Sequence, residues 1–347
     1  MKKSICKLLA PAVALVLIGA GAPAGANTLY VSTQGNDSNP GTAARPFRTI
    51  TEAYSQAGPG TTILVEPGTY TDYQSRWGLH LGKSGTAANP IVLKSRVRGG
   101  AIIDGQNAPD RNVAIYIDGS YNVVDGFEIK NGPIGGISIY GPGGNNNQIL
   151  NNEINHNGNP YSTTTDGRCG VYDSKVTSGN IYTGNYIHDN GRLSQASLYD
   201  QGMYLCGTHN EVVINNLIAR NCAYGIQVAA YKNIVNMEIA DNTIVSNVNR
   251  AGIMLWGDGG AMNGIEITNN LIHGNGEPGI MTCSCIGSGV RILNNRFLDN
   301  SGHGLSGPWA MTCNGSTVSY TASGNITNRD PEFPDNADAL AKLFPRH

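Results

Sequence analysis

Charge is scarce in this sequence. Asp, Glu, Lys and Arg together make up 14% of its 347 residues, against roughly a quarter in most soluble domains. Long windows with the apolar spacing of an amphipathic helix are also missing, leaving short candidates at residues 50–57 and 337–344. A helical bundle is therefore excluded. No Cys-x-x-Cys pair occurs, and Cys283 and Cys285 stand only two apart, so no zinc pattern is present. Beyond residue 26 no apolar run approaches membrane-spanning length.

The first 26 residues read as a secretory signal peptide. Lys2, Lys3 and Lys7 precede an apolar run at 8–20, and Ala24, Gly25 and Ala26 form a small-residue cleavage site. Without that leader the chain carries 20 basic against 25 acidic residues. A nucleic-acid binder needs the opposite balance to neutralise phosphates. The expectation is a secreted or periplasmic protein, monomeric, with neither membrane nor nucleic acid as partner. Six cysteines remain after cleavage, an even number in an oxidising compartment. A disulfide from Cys283 or Cys285 to Cys313 is expected to staple the last coils.

What the chain has in abundance is glycine, 46 residues, together with asparagine at recurring positions. Asn152, Asn185, Asn216, Asn242, Asn270 and Asn295 each precede an apolar residue by two, at steps of 33, 31, 26, 28 and 25. Gly136, Gly170, Gly202, Gly225, Gly252, Gly279 and Gly304 each open a short apolar strand, at steps of 34, 32, 23, 27, 27 and 25. Two ladders with a period in the twenties describe a solenoid with three strands per coil. Each strand would pair in parallel with its equivalent one coil on, about 4.8 Å away. The predicted fold is all-β, a single-stranded right-handed parallel β-helix of nine to eleven coils over residues 27–347. Residues 27–60 would cap its start with a short helix at 46–57, and 325–347 would cover its end.

These repeats resemble the pectate-lyase-like superfamily of right-handed parallel β-helices. The opening "LYVSTQGNDSNPGTAARPFRTITEAYSQAGPGTTILVEPGTYTD", followed by "SGTAANPIVLKSRVRGGAIIDGQ", is similar to the start of secreted polysaccharide lyases with that fold. The resemblance implies a carbohydrate-active enzyme acting on an acidic glycan. It supplies no catalytic motif: Gly302, His303 and Gly304 match one polygalacturonase element without its partners.

Alternation along a strand places candidate site residues directly. After each glycine, Val171, Met203, Ile226, Ile253 and Ile280 turn inward. Tyr172, Tyr204, Gln227, Met254 and Met281 then face out, followed two residues on by Ser174, Cys206, Ala229, Trp256 and Cys283. Arg168, Asp200, Ala223, Arg250 and Glu277 stand two before the glycines. Loops at 159–167 and 191–199 lengthen the coils that carry Arg168 and Asp200, and solenoid insertions gather on the binding face.

Tyrosines, a tryptophan and arginines on one flat sheet suit an extended sugar chain. Elimination from a uronate needs a group that neutralises the carboxylate, a base and an acid. Arg168 or Arg250 could do the first, and Tyr204, Tyr172, His209 or Lys232 the others. Gln227, Arg250 and Trp256 would hold the sugar. Asp200 could orient a base or hold a calcium ion, the one metal role these residues admit; no other cofactor is indicated. The alternatives to a lyase are a glycoside hydrolase, a uronan epimerase and a non-catalytic glycan-binding surface protein. A hydrolase wants two facing carboxylates, and alternation turns Asp173, the nearest acid to Asp200, inward. His188 and His273 occupy equivalent repeat positions and read as scaffold.

Overall fold

The computed structural model describes residues 27–71, 77–108, 113–158, 167–174, 176–193, 199–257, 259–284, 286–300, 310–313 and 319–327. Most of the two candidate loops lies outside these residues, as do Cys285, the 302–304 triplet and the helix candidate at 337–344.

Asparagine dictates the path of the chain. The residue before each ladder asparagine takes left-handed backbone angles, with φ of 55° at Asn151, 54° at Asn215, 54° at Asp241, 57° at Asn269 and 58° at Asn294. Asn, Asp and Gly tolerate that region best, and it swings the next side chain inward. The backbone N–H of Asn152 then donates to Asn185 Oδ1 at 3.0 Å, and the pattern repeats through Asn216, Asn242, Asn270, Asn295 and Asn325. A second column runs through Asn157, Asn190, Asn221, Asn247, Asn275 and Asn300. The bends are thus buried without stranding their backbone polar groups.

Between the bends the strands stack into three parallel sheets. Two have nine strands; the third, of twelve, has eleven along its main path. This is the expected right-handed parallel β-helix, with the expected number of coils. Val171, Met203, Ile226, Ile253 and Ile280 are fully buried in one continuous apolar core. The glycine ladder has a steric cause: a Cβ on Gly202 would lie 2.7 Å from the Gly225 carbonyl oxygen and 2.7 Å from Asn221 Nδ2. The next coil's backbone passes too close for any side chain.

One helix, Ile50–Gln56, is shorter than the predicted 46–57. Thr49 starts it by accepting the Glu52 N–H at 3.1 Å. Ile50, Ala53 and Tyr54 join the same core as Leu29 and Val31, so the helix covers the first coil. Among the described residues no helix is long and apolar enough to cross a membrane.

Candidate functional site

One of the nine-stranded sheets runs from Leu79–Leu81 to Ala310–Cys313. Its register aligns His80, Tyr116, Ser138, Tyr172, Tyr204, Gln227, Met254 and Met281 in one outward column. A second outward column aligns Tyr140, Ser174, Cys206, Ala229, Trp256 and Cys283. Because the strands are parallel and in register, every aromatic placed outward meets the next coil's outward residue.

The result is an unbroken track of rings. Trp77 stacks on Tyr116 at 5.0 Å, Tyr116 approaches Tyr140 at 6.4 Å, Tyr140 approaches Tyr172 at 6.5 Å, and Tyr172 approaches Tyr204 at 5.5 Å. The Tyr204 hydroxyl meets that of Tyr231 at 3.2 Å. With strands about 4.8 Å apart, the track from the first coil to Tyr204 runs about 19 Å along the helix axis. All five rings are half-buried, stacked or tilted against their neighbours with part of each exposed.

The track stops at Gln227. That side chain is 9% exposed and accepts from Gln201 Nε2 at 2.6 Å. Beyond it Met254 and Met281 are buried with Ala223, Tyr224 and Ala251 in a separate apolar cluster outside the sheet. Arg250 sits 5.7 Å over the Tyr224 ring and pairs with Glu277 at 2.7 Å. Trp256, 38% exposed, stands in the second column past this cover.

Asp200 does not stand where it could orient a base or hold a calcium ion, the roles its place before Gly202 suggested. It is fully buried, and both carboxylate oxygens are occupied. Oδ1 accepts from the Arg168 N–H at 3.0 Å and Arg192 Nη2 at 2.8 Å; Oδ2 accepts from the Arg192 N–H and Nε, each at 2.8 Å. The bidentate fork of Arg192 takes the place assigned to a base or a calcium ion. Arg168 is likewise 3% exposed rather than presented to solvent. His209 lies half-buried at a bridge to Ser178, and Lys232 is exposed in the turn after Ile226–Ala230. Of the predicted residues, the structure brings together Tyr172, Tyr204 and Gln227 in one column. Burial pushes the Tyr172 phenol up to about 12. Burial and then the Tyr231 hydroxyl raise Tyr204 further still, so it is suited to hydrogen bonding, not to accepting a proton.

Trp77, His80, Tyr116 and Tyr140 were not reached from the sequence. Gly78 opens Leu79–Leu81 in register with Gly136, but Ala114 takes that position in the strand between, so the ladder of glycines breaks before it reaches them. The alternation in "GLHLG" and "VAIYIDG" nonetheless turns His80 and Tyr116 outward.

Asp173 does turn inward, as alternation requires. It accepts from Asn180 Nδ2 at 2.9 Å and Tyr182 Oη at 2.6 Å, and from the Thr177 hydroxyl. Burial raises its pKa to about 6 against those hydrogen bonds. Glu211, also fully buried, lies against it, and burial and then the Asp173 charge raise Glu211 well above the usual carboxyl range. Neither Glu211 oxygen meets a hydrogen-bond donor in good geometry, which marks Glu211 as the protonated partner.

A separate groove of about 810 Å³ opens on the outer face of the twelve-stranded sheet, lined by residues including Asn210, Glu238, Glu266, Arg291 and Asn294. Glu266 pairs with Arg291 at 2.9 Å, and Glu238 is raised by burial and then by the charges of Glu266 and Asp241. Glu238 and Glu266 against one arginine leave the groove with an acidic excess, whereas the ring track carries one acid, Asp118, at its head beside His80.

Two family models divide the chain. Residues 29–190 match the Pel9A-like right-handed β-helix region, and 190–325 match the periplasmic copper-binding protein NosD. Pectate lyase PEL9 of Emericella nidulans is 33% identical over 132 residues, covering 34% of this chain and 31% of that protein. Pectate lyase L of Paenibacillus polymyxa is 29% identical over 301 residues, 79% of this chain and 64% of that one. The chain thus spans less than two thirds of the length of either relative. Among solved structures, pectate lyase Pel9A superposes with a TM-score of 0.65 at 19% identity, covering 87% of this chain and 77% of that one. Other neighbours include an alginate lyase, a rhamnogalacturonan lyase and a glycoside hydrolase, all under 20% identical, so the likeness speaks to the fold.

Proposed function

We propose, proceeding from the chain's membership of the pectate-lyase-like β-helix superfamily, that it is a polysaccharide lyase. It would bind a uronate-containing glycan along the aromatic track and break it by β-elimination. The observation that carries this reading is the row of half-exposed rings from Trp77 to Tyr204, which crosses between the two outward columns at Tyr140. Pyranose rings present apolar faces to aromatic rings, and a linear glycan repeats that face along its length. Cross-strand ring pairs stabilise a sheet by about 0.5–1.5 kcal/mol. That alone accounts for neighbours meeting, but not for a row that stays open over several coils and ends at a covered patch.

Incubation with a panel of polyuronides tests the reaction, because only elimination creates an unsaturated product that absorbs in the ultraviolet. Binding tests the track. Tyr116→Ala and Tyr172→Ala should each weaken affinity about 10- to 30-fold, the scale of truncating a central aromatic contact. Tyr204→Phe keeps its ring and should keep its affinity. Full affinity in a Tyr116→Ala/Tyr172→Ala double variant would remove the track from the site.

The leader at 1–26 and the late cysteines fit an exported protein. The register places Cys283 opposite Cys313 on the next coil, and the Cα spacing of neighbouring strands, about 4.8 Å, falls inside the disulfide range. We propose that these two are joined. The mass of the exported protein should correspond to a chain starting at Asn27 with two hydrogens lost, and a thiol count of six would rule the bond out.

A further inference from the structure

At the open end of the track stands a pair that the sequence did not single out. His80 Nε2 lies 2.7 Å from Asp118 Oδ1, with the two side chains 35% and 39% exposed. His80 points outward from Leu79–Leu81, directly opposite Tyr116, and its ring centre is 5.4 Å from that ring. Trp77 stacks on the same tyrosine. The next outward position after His80 is Gly82, and its lack of a side chain makes room for the pair. A Cβ there would lie 2.9 Å from His80 Nε2 and 3.1 Å from Asp118 Oδ1.

The other described histidines differ. His188 and His273 are buried on another sheet; both nitrogens of His188 are engaged, by Asp189 at 2.6 Å and Glu153 at 3.2 Å. His156 is held by Asn155 at the end of the Glu153–Asn155 strand of that same sheet, and His209 sits in a turn. Among them, His80 alone shares the face of the rings.

We infer that His80, oriented by Asp118, is the general base that takes the proton next to the uronate carboxylate, at the head of the aromatic track. This rests on the lyase reading proposed above. An ionised Asp118 can only accept, so Nε2 carries the hydrogen and Nδ1 presents its lone pair. No described residue bonds to Nδ1. In the step, Nδ1 takes the proton from the carbon bearing the carboxylate. The C–H pair becomes the new C=C bond, and the neighbouring C–O bond breaks with its electrons on oxygen. The imidazolium returns the proton to that oxygen, so the pair ends as it began. Since the rings extend from His80 in one direction, sugars on one side of the cleaved bond hold most of the affinity.

The experiment compares the wild-type chain with His80→Gln, His80→Gly and Asp118→Asn on a polyuronide that the wild type cleaves. His80→Gln should lower kcat by about 10²–10⁴-fold with KM and melting temperature unchanged. Added imidazole should restore part of the lost rate to His80→Gly, which a merely structural role would not allow. Asp118→Asn, a positioning residue, should lower kcat and leave KM alone. If the wild type cleaves and His80→Gln keeps more than half its kcat, the inference falls and the lyase reading stands. If no polyuronide is cleaved, each is incubated with enzyme in D2O. His80-dependent exchange of the proton next to the carboxylate then upholds the base and removes the lyase. Absence of both cleavage and exchange overturns both.

Discussion

Asp200→Asn should lower the melting temperature by roughly 10 °C, the consequence of breaking a buried ion pair worth about 3–5 kcal/mol when one partner is removed. Asp200 is fully buried and accepts four hydrogen bonds, three of them from Arg192. An amide can offer one oxygen to that fork; its NH2 group would face the Arg192 donors. Gly191 gives the clamp its shape, with φ of 91° and no room for a Cβ, which would fall 2.4 Å from Asp200 Cβ. The pair therefore fastens the start of the 191–199 loop to the Cys169–Ser174 and Gln201–Cys206 rungs. Loss of turnover in this variant would track loss of fold. A calorimetric shift of less than a few degrees would mean that the clamp is dispensable.

The interior acid pair predicts the largest pH effect. A folded-state pKa raised above its unfolded value means that the fold favours the protonated carboxyl. For Asp173 the stabilisation is full below about 3.8 and is lost as pH rises through about 6. Two units correspond to about 3 kcal/mol. Glu211, raised further, extends the loss to higher pH. Thermal stability should therefore fall from mildly acidic to mildly alkaline conditions. Glu211→Gln removes one carboxyl and supplies an amide donor to Asp173, so the fall should flatten and the variant should melt above the wild type at pH above about 8. Parallel melting curves for the two proteins across that range would contradict the assignment.

The fold was legible because the structure repeats what the sequence repeats. Each left-handed turn before the first asparagine column is filled by Asn, Asp or Gly, each crowded strand start needs Gly, and both appear as ladders in the chain. The second asparagine column escaped notice because Asn157, Asn190 and Asn221 follow strands rather than precede them, so they do not share the motif that marks the first. Inward and outward positions within a strand followed simple alternation, correctly for Tyr172, Tyr204 and Asp173. Alternation fails two residues before the glycine, outside the strand, where the backbone is bending. There Asp200 turns in toward Arg192. It also cannot tell whether an outward side chain is covered: Met254 and Met281 point away from the core and are buried by Tyr224 and its neighbours. The His80–Asp118 pair was beyond reach for another reason. Its members are 38 residues apart and meet only through the coil-to-coil register.

The central claim is that an acidic glycan lies along the helix axis on this one face. A crystal structure with a bound oligouronide tests it most directly. The account predicts sugar rings over Trp77, Tyr116, Tyr140, Tyr172 and Tyr204 in succession, with the carbon next to a carboxylate facing His80 Nδ1. Sugars seated instead in the groove between Asn210 and Arg291, with the ring track bare, would contradict it.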